Sequence, residues 1–190
     1  MTRLIFACAS MVRPIPRGDV LVVSGGTGDS ARYRSRHIAE SLRYQGIRAS
    51  ASAQGSIFLP FQANHFRVFV FHRPIWNRRL EILFLRLKEL GKVVVFDADD
   101  LTFDADIFRG TAAFESMNQS ERKSYEQGLG KEFLDDPYVD VATASTPFLA
   151  ERLSCLQKKT FVIRNRLSVR DVEIAENISA SRAENAKDRV

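Results

Sequence analysis

The sequence predicts an α/β fold: a Rossmann-like parallel sheet with helices on both faces. Three observations carry that expectation. Short, almost unbroken apolar runs ("VLVVS", "FRVFVFH", "KVVVFD") lack the alternation of half-exposed strands, so both of their faces must be covered. Stretches with helical apolar spacing separate them, giving a strand–helix repeat. Glycines, a histidine and an acidic cluster directly follow the runs, at what become the strand carboxyl ends.

Taken in order, "LIFACASMV" (Leu4 to Val12) follows Arg3 and is followed by Arg13 and Pro14. It falls well short of the roughly 20 apolar residues of a membrane span, and no signal-cleavage pattern follows. Residues 1–18 are therefore expected to be an N-terminal extension with an extra strand. "DVLVVSGG" is the first strand of the domain proper, running into glycines. "DSARYRSRHIAESLRYQG" is a helix with Ala31, Ile38, Ala39 and Leu42 on one face and Gly46 as its stop. "IRASASA" is a second strand. "SIFLPF" contains Pro60, which confines it to an edge piece or a loop.

"FRVFVFH" is a buried strand, and "NRRLEILFLRLKELG" a helix with Leu80, Leu83, Phe84, Leu87 and Leu90 on one stripe. "KVVVFD" is the next strand. Residues 102–118 are irregular, and "SERKSYEQGLGKEFL" is one helix or two short ones. "YVDVATAS" is a further strand. Thr146 and Pro147 open the helix "FLAERLSCL" with a hydroxyl cap and a first-turn proline. "KTFVIRN" is the last strand. The domain thus runs over 19–167, and 168–190 is a polar segment, either a solvated helix or a disordered tail.

The 190 residues suffice for one well-packed domain. A net charge of +5 suits phosphate-bearing ligands or an anionic membrane surface, and no nucleic-acid-binding signature accompanies it. Two cysteines, Cys8 and Cys155, cannot make a disulfide framework, so a cytoplasmic setting is expected, with peripheral contact at the inner face of a membrane compatible with the charge.

Three stretches offer chemistry. "SGGTGDSAR" places Gly25, Gly26, Thr27, Gly28, Asp29 and Ser30 between a strand and a helix. Backbone N–H groups there can meet an anion, although the spacing is neither a dinucleotide fingerprint nor a P-loop, and a plain tight turn fits equally. "RYRSRH" then puts Arg32 and Arg36 on one face at the helix amino end, where cations oppose the dipole. They read as a solvated basic face or as contacts to phosphate or carboxylate.

"FHRP" ends a buried strand. His72 is either a general base, a hydrogen-bond partner for a sugar or phosphate, or a residue satisfied by backbone; Arg73 is the expected counter-charge to the acids of the next strand. In "DADD", Asp97 and Asp99 could hold Mg2+ or Mn2+ against a nucleotide diphosphate. The structural alternative has Asp99 or Asp100 capping the next turn and Asp97 paired with Arg73 or Lys92.

These stretches resemble a known family. "GDSARYRSRHIAESLRYQGI", "FVFHRPIWNRRLEILFLRLKELGKVVVFDADDLTFD", "VDVATASTPFLAERL" and "FVIRN" are similar to segments of the amino-terminal domain of the retaining GT-B glycosyltransferases of the glycogen-synthase-like group (group 1, the fourth family). The resemblance spans about Leu21 to Leu167, with Arg164 where the family has proline.

It implies a Rossmann-like half that mainly binds the acceptor, with the glycine turn approaching the diphosphate of a nucleotide-sugar donor. Arg32, Arg34 and Arg73 would meet phosphate or an acidic acceptor, and Asp97, Asp99 and Asp100 would orient sugar hydroxyls or order the loop. Many family members place a catalytic histidine where Asp97 stands, so the chain departs from the family there and His72 is not an obvious substitute; Asp97 and His72 are the candidate catalytic residues. No cofactor is required on this resemblance, since such enzymes usually need no metal, which weighs against Mg2+ or Mn2+ at Asp97 and Asp99. The donor-binding half with its E-x7-E glutamates has no counterpart here, so the chain alone is expected to be inactive, as a truncated protein, a fragment, or half of a split enzyme whose other half is a separate chain. "FDADDLTFD" also looks superficially like the first motif of haloacid-dehalogenase phosphatases, with Asp97 and Asp99 as its acids. A non-catalytic nucleotide- or polysaccharide-binding module is the remaining alternative.

Overall fold

A computed structural model describes residues 13–26, 28–126 and 128–187. The expected strand within residues 4–12, and Thr27 of the glycine turn, lie outside the described residues. Six strands form one all-parallel sheet: β1 (Val20–Ser24), β2 (Ala49–Ala53), β3 (Val68–His72), β4 (Val93–Ala98), β5 (Val141–Ala144) and β6 (Lys159–Val162). Their spatial order is β2-β1-β3-β4-β5-β6. The chain moves from β1 outward to β2, then returns to the other side of β1 for β3. The order therefore reverses between β1 and β3, where open α/β sheets form a crevice beyond the strand carboxyl ends.

Between β1 and β2 lie α1 (Asp29–Ala31), a π turn (Arg32–Arg36) and α2 (His37–Tyr44). The helix α3 (Arg78–Glu89) joins β3 to β4. Four short helices follow β4: α4 (Ala105–Phe108), α5 (Ala112–Glu115), α6 (Gln119–Tyr125) and α7 (Lys131–Asp135). The helix α8 (Pro147–Cys155) joins β5 to β6, and α9 (Val169–Lys187) follows the sheet.

Strand alternation gives the sheet two unequal faces. Leu21, Val23, Phe69, Phe71, Val94, Phe96, Ala142 and Ala144 all belong to the main core. There they meet the stripe Leu80, Leu83, Phe84 and Leu87 of α3, as the helical spacing predicts. Phe133 of α7 closes this core, with its ring centroid 4.9 Å from Phe71, 4.8 Å from Phe84 and 5.4 Å from Trp76. On the opposite face Val22, Ala39 and Ala49 form a much smaller core, with Ile38, Leu42 and Val70 packed on it.

The acidic loop is more ordered than expected. Residues 102–118 hold α4 and α5, each opened by a side-chain cap: Asp104 accepts from Ile107 N and Thr111 from Phe114 N. The next stretch resolves into two helices, broken by Gly128 (φ 88°) and Gly130 (φ 77°), a backbone state that side chains resist. The Pro60 stretch is a 3-10 turn (Leu59–Gln62). Thr146 caps α8 by accepting from Leu149 N at 3.3 Å, with Pro147 in its first turn.

Of the two readings of the polar segment, the helical one is found: α9 begins with Ser168 and Asp171 bonding reciprocally to each other's backbone N–H at 3.1 Å. Among the described residues, no helix is long and apolar enough to cross a membrane.

Gly25 seals the base of the β1–β3 crevice. Its N–H donates to the His72 carbonyl at 2.9 Å. A Cβ here would run into the Arg73 carbonyl oxygen and lie 3.3 Å from Ile75 N. Both obstacles are backbone and cannot step aside. Gly25→Ala should therefore cost about 1–3 kcal/mol of stability, as overpacking does. Gly26→Ala, with nothing within 4 Å of its Cβ position, should stay within about 0.5 kcal/mol of wild type. Chemical denaturation of the two variants checks the contrast.

Candidate functional site

The parallel register aligns one residue from each of four strands: Ser24 opposite His72, His72 opposite Asp97, and Asp97 opposite Thr143. All four are polar and all four are buried. They form a polar row across the carboxyl end of the sheet, on the face that carries the small core. The apolar rows below them are Val22, Val70 and Val95.

The π turn supplies the counter-charge. Arg34 is only 2% exposed, and so is Asp97, so neither charge can rely on water. Arg34 Nε donates to Asp97 Oδ2 at 3.1 Å and Nη2 donates to Oδ1. His72 Nδ1 lies 3.0 Å from Asp97 Oδ2, and Thr143 Oγ1 donates to Oδ1 at 2.6 Å. Both carboxylate oxygens are thus saturated by donors from three other elements. The remaining guanidinium nitrogen of Arg34 bonds the Ile163 carbonyl and Asn165 Oδ1 at 3.4 Å.

Burial by itself raises the Asp97 pKa. The His72 hydrogen bond and the charge and hydrogen bonds of Arg34 outweigh it, holding the group below the usual aspartate value of 3.8. An ionised Asp97 can only accept, so His72 Nδ1 carries a proton.

His72 Nε2 is then the ring's other polar atom. It is buried, has no hydrogen-bond partner, and lies 3.7 Å from Asp99 Oδ1. That oxygen accepts from Arg73 Nε at 2.6 Å. Arg73 Nη2 pairs with Asp100 Oδ2, so one guanidinium bridges two carboxylates. Arg73 holds a left-handed backbone (φ 46°), unfavourable for a non-glycine residue. Asp100 also caps the following turn, accepting from Thr102 N at 3.1 Å and from Thr102 Oγ1 at 2.6 Å.

The expected counter-charge to Asp99 and Asp100 is therefore found in Arg73. Two other expectations are corrected. Asp97 pairs with Arg34 rather than with Arg73 or Lys92, because the π turn brings the guanidinium directly over the polar row. Arg34 is consequently buried, with each of its guanidinium nitrogens bonded within the protein. Nor is His72 satisfied by backbone: its ring partner is a carboxylate.

The remaining candidates stay at the surface. Gly26, Gly28 and Asp29 are exposed and Ser30 partly so; Gly28 precedes α1 without a side-chain cap. Arg32 is exposed and folds onto its neighbour, with Nη2 2.6 Å from Tyr33 Oη. Sequence reasoning missed His37, whose Nδ1 lies 2.8 Å from the Arg166 carbonyl and whose Nε2 lies 3.5 Å from Asp171. It also missed an open hollow of about 610 Å3 beside Pro147, Arg164, Asn165 and Arg166, beyond β6 on the same rim.

Among the described residues, no group of three His, Cys, Asp or Glu is placed to hold a metal ion. Asp97 in particular has both oxygens engaged. No family model, curated protein or solved structure matches the chain.

Asp97→Ala leaves Arg34 buried without its counter-ion and should cost about 3–5 kcal/mol. Replacing both partners, as Arg34→Met with Asp97→Leu, should recover much of that loss. The pH dependence has a definite sign. Asp97 has a depressed folded pKa, so its contribution is complete above 3.8 and is lost as pH falls through the lower folded value. Denaturant titrations from pH 6 down to pH 2 should show this acid limb in wild type and a shallower one in Asp97→Asn.

Proposed function

We propose that this chain is the acceptor-side, Rossmann-like domain of a nucleotide-sugar glycosyltransferase, which itself meets the donor diphosphate and is paired with a second Rossmann-like half that holds most of the rest of the nucleotide sugar. The observation that supports this reading best is one of placement. The glycine turn after β1, His72–Arg73 after β3 and Asp97–Asp100 after β4 share the carboxyl rim at the switch point. Parallel α/β sheets bind ligands there. The sequence resemblance over Leu21 to Leu167 adds the reaction class.

In this reading the roles divide by depth. Exposed Gly26 and Gly28 let the donor diphosphate approach backbone N–H groups. Asp99 and Asp100 accept from sugar hydroxyls, and Arg73 meets an acidic group. Asp97 holds His72 in one tautomer and orientation and touches no substrate itself. No metal is assigned a role. A cytoplasmic setting against an anionic membrane surface would suit the net charge of +5.

The saturation of Asp97 favours a second reading, a binding module for nucleotides or polysaccharides without turnover. It also counts against Asp97 as the nucleophile of a phosphatase.

Titration calorimetry with uridine, guanosine and adenosine diphosphoglucose tests the proposal. One of them should bind, and Gly26→Val should weaken it about tenfold or more while leaving the melting temperature unchanged, because a side chain there obstructs only the ligand. Binding without transfer to any glycan acceptor, even with a donor-binding half present, would select the module. If no nucleotide sugar binds, the transferase reading fails.

A further inference from the structure

His72 Nε2 is a buried polar atom with nothing to bond, and such atoms are rare in folded proteins. Its surroundings restrict what could complete it. The ring cannot turn, because Nδ1 is committed to Asp97 at 3.0 Å. With Nδ1–H given to Asp97, a neutral ring leaves Nε2 as an acceptor, and Asp99 Oδ1 at 3.7 Å lies beyond hydrogen-bond distance. His72 Nε2 is therefore left without a partner, beside an Asp99 Oδ1 whose one bond is to Arg73 Nε at 2.6 Å.

The residue that engages Asp99 is Arg73. It is bonded to Asp99 through Nε and to Asp100 through Nη2, its side chain is 27% exposed, and its backbone is strained at φ 46°. A guanidinium shared by two carboxylates at a solvent boundary can be drawn outward by a competing anion.

We propose that His72 Nε2 and Asp99 Oδ1 form a subsite for two neighbouring hydroxyls of an anionic saccharide, covered by Arg73 until the saccharide's own phosphate or carboxylate takes that guanidinium over. One hydroxyl donates to Nε2. The other donates to Asp99 Oδ1, which has a lone pair to spare beyond its bond to Arg73. The anion and the diol must sit on one molecule, because the first uncovers the place of the second. This inference rests on the reading of the rim as an acceptor site and adds the acceptor's chemical class.

The test is calorimetry on the full chain with four probes: glucose 6-phosphate, glucuronate, glucose and inorganic phosphate. At least one anionic sugar should bind about tenfold more tightly than glucose and than inorganic phosphate; which one does so distinguishes phosphate from carboxylate. Arg73→Ala should reduce it to the level of glucose, and Asp99→Asn and His72→Gln to that of inorganic phosphate.

Because His72 is buried, its variant could fail to fold. Nitrogen NMR of 15N-histidine-labelled wild type provides an independent reading: saturating anionic sugar should shift the His72 Nε2 resonance. An unmoved Nε2 resonance (a bound water only), equal affinity for all four probes, or undiminished binding by Arg73→Ala would each overturn the proposal. Sugar-phosphate binding without nucleotide-sugar binding would defeat the transferase reading and leave this one standing. The reverse result would defeat this one alone.

Discussion

A carboxylate buried at the end of a central strand has to be compensated, and the way Asp97 meets that need organises the molecule's functional edge. Its donors come from the π turn after β1, from β3 and from β5. Three connections that are distant in sequence are therefore tied to one point. Arg34 extends the tie to Ile163 and Asn165, so the chain leaving β6 is held to the same centre. Such an arrangement adds little net stability compared with an apolar core, yet it tolerates few alternatives. Its effect is to fix where the rim loops leave the sheet.

The rim above Asp97 consists of two layers with different freedom. The inner layer of Arg34, Asp97, His72 and Thr143 is buried and mutually bonded. The outer layer of Arg73, Asp99, Asp100 and the glycine turn reaches solvent, and its ion pairs are open to exchange. Between the layers lies His72 Nε2, the one atom of the inner layer whose bonding is incomplete. Chemistry at this edge therefore depends on what the outer layer admits.

The small core on that face has a related origin. Val22, Ala39 and Ala49 are modest residues, which lets α2 pack close to the sheet. The close approach, with the extra residue of the π turn, carries Arg34 over β4. Gly25 serves the same compactness on the other side by letting the β1 and β3 loops touch backbone to backbone.

Much of this was legible in the chain. Unbroken runs such as Val93–Phe96 require cover on both faces, and that alone calls for a parallel sheet flanked by helices. Thr146–Pro147 and the leucine stripe of α3 set their helices by local rules of capping and spacing. Even Arg34 left a trace: it lies three residues after Ala31 and four before Ile38, on the buried stripe rather than beside the exposed Arg32 and Arg36. What the sequence could not give was the pairing of Arg34 with Asp97 across 63 positions.

The choice among several nearby cations depended on a π turn with no local signature and on a register that aligned four strand ends. Strand and helix type follow from periodicity within about ten residues, and so the sequence by itself determined them. Which charge neutralises which, and which polar atom is left over, follows from distances between elements, and only the folded sheet decided that.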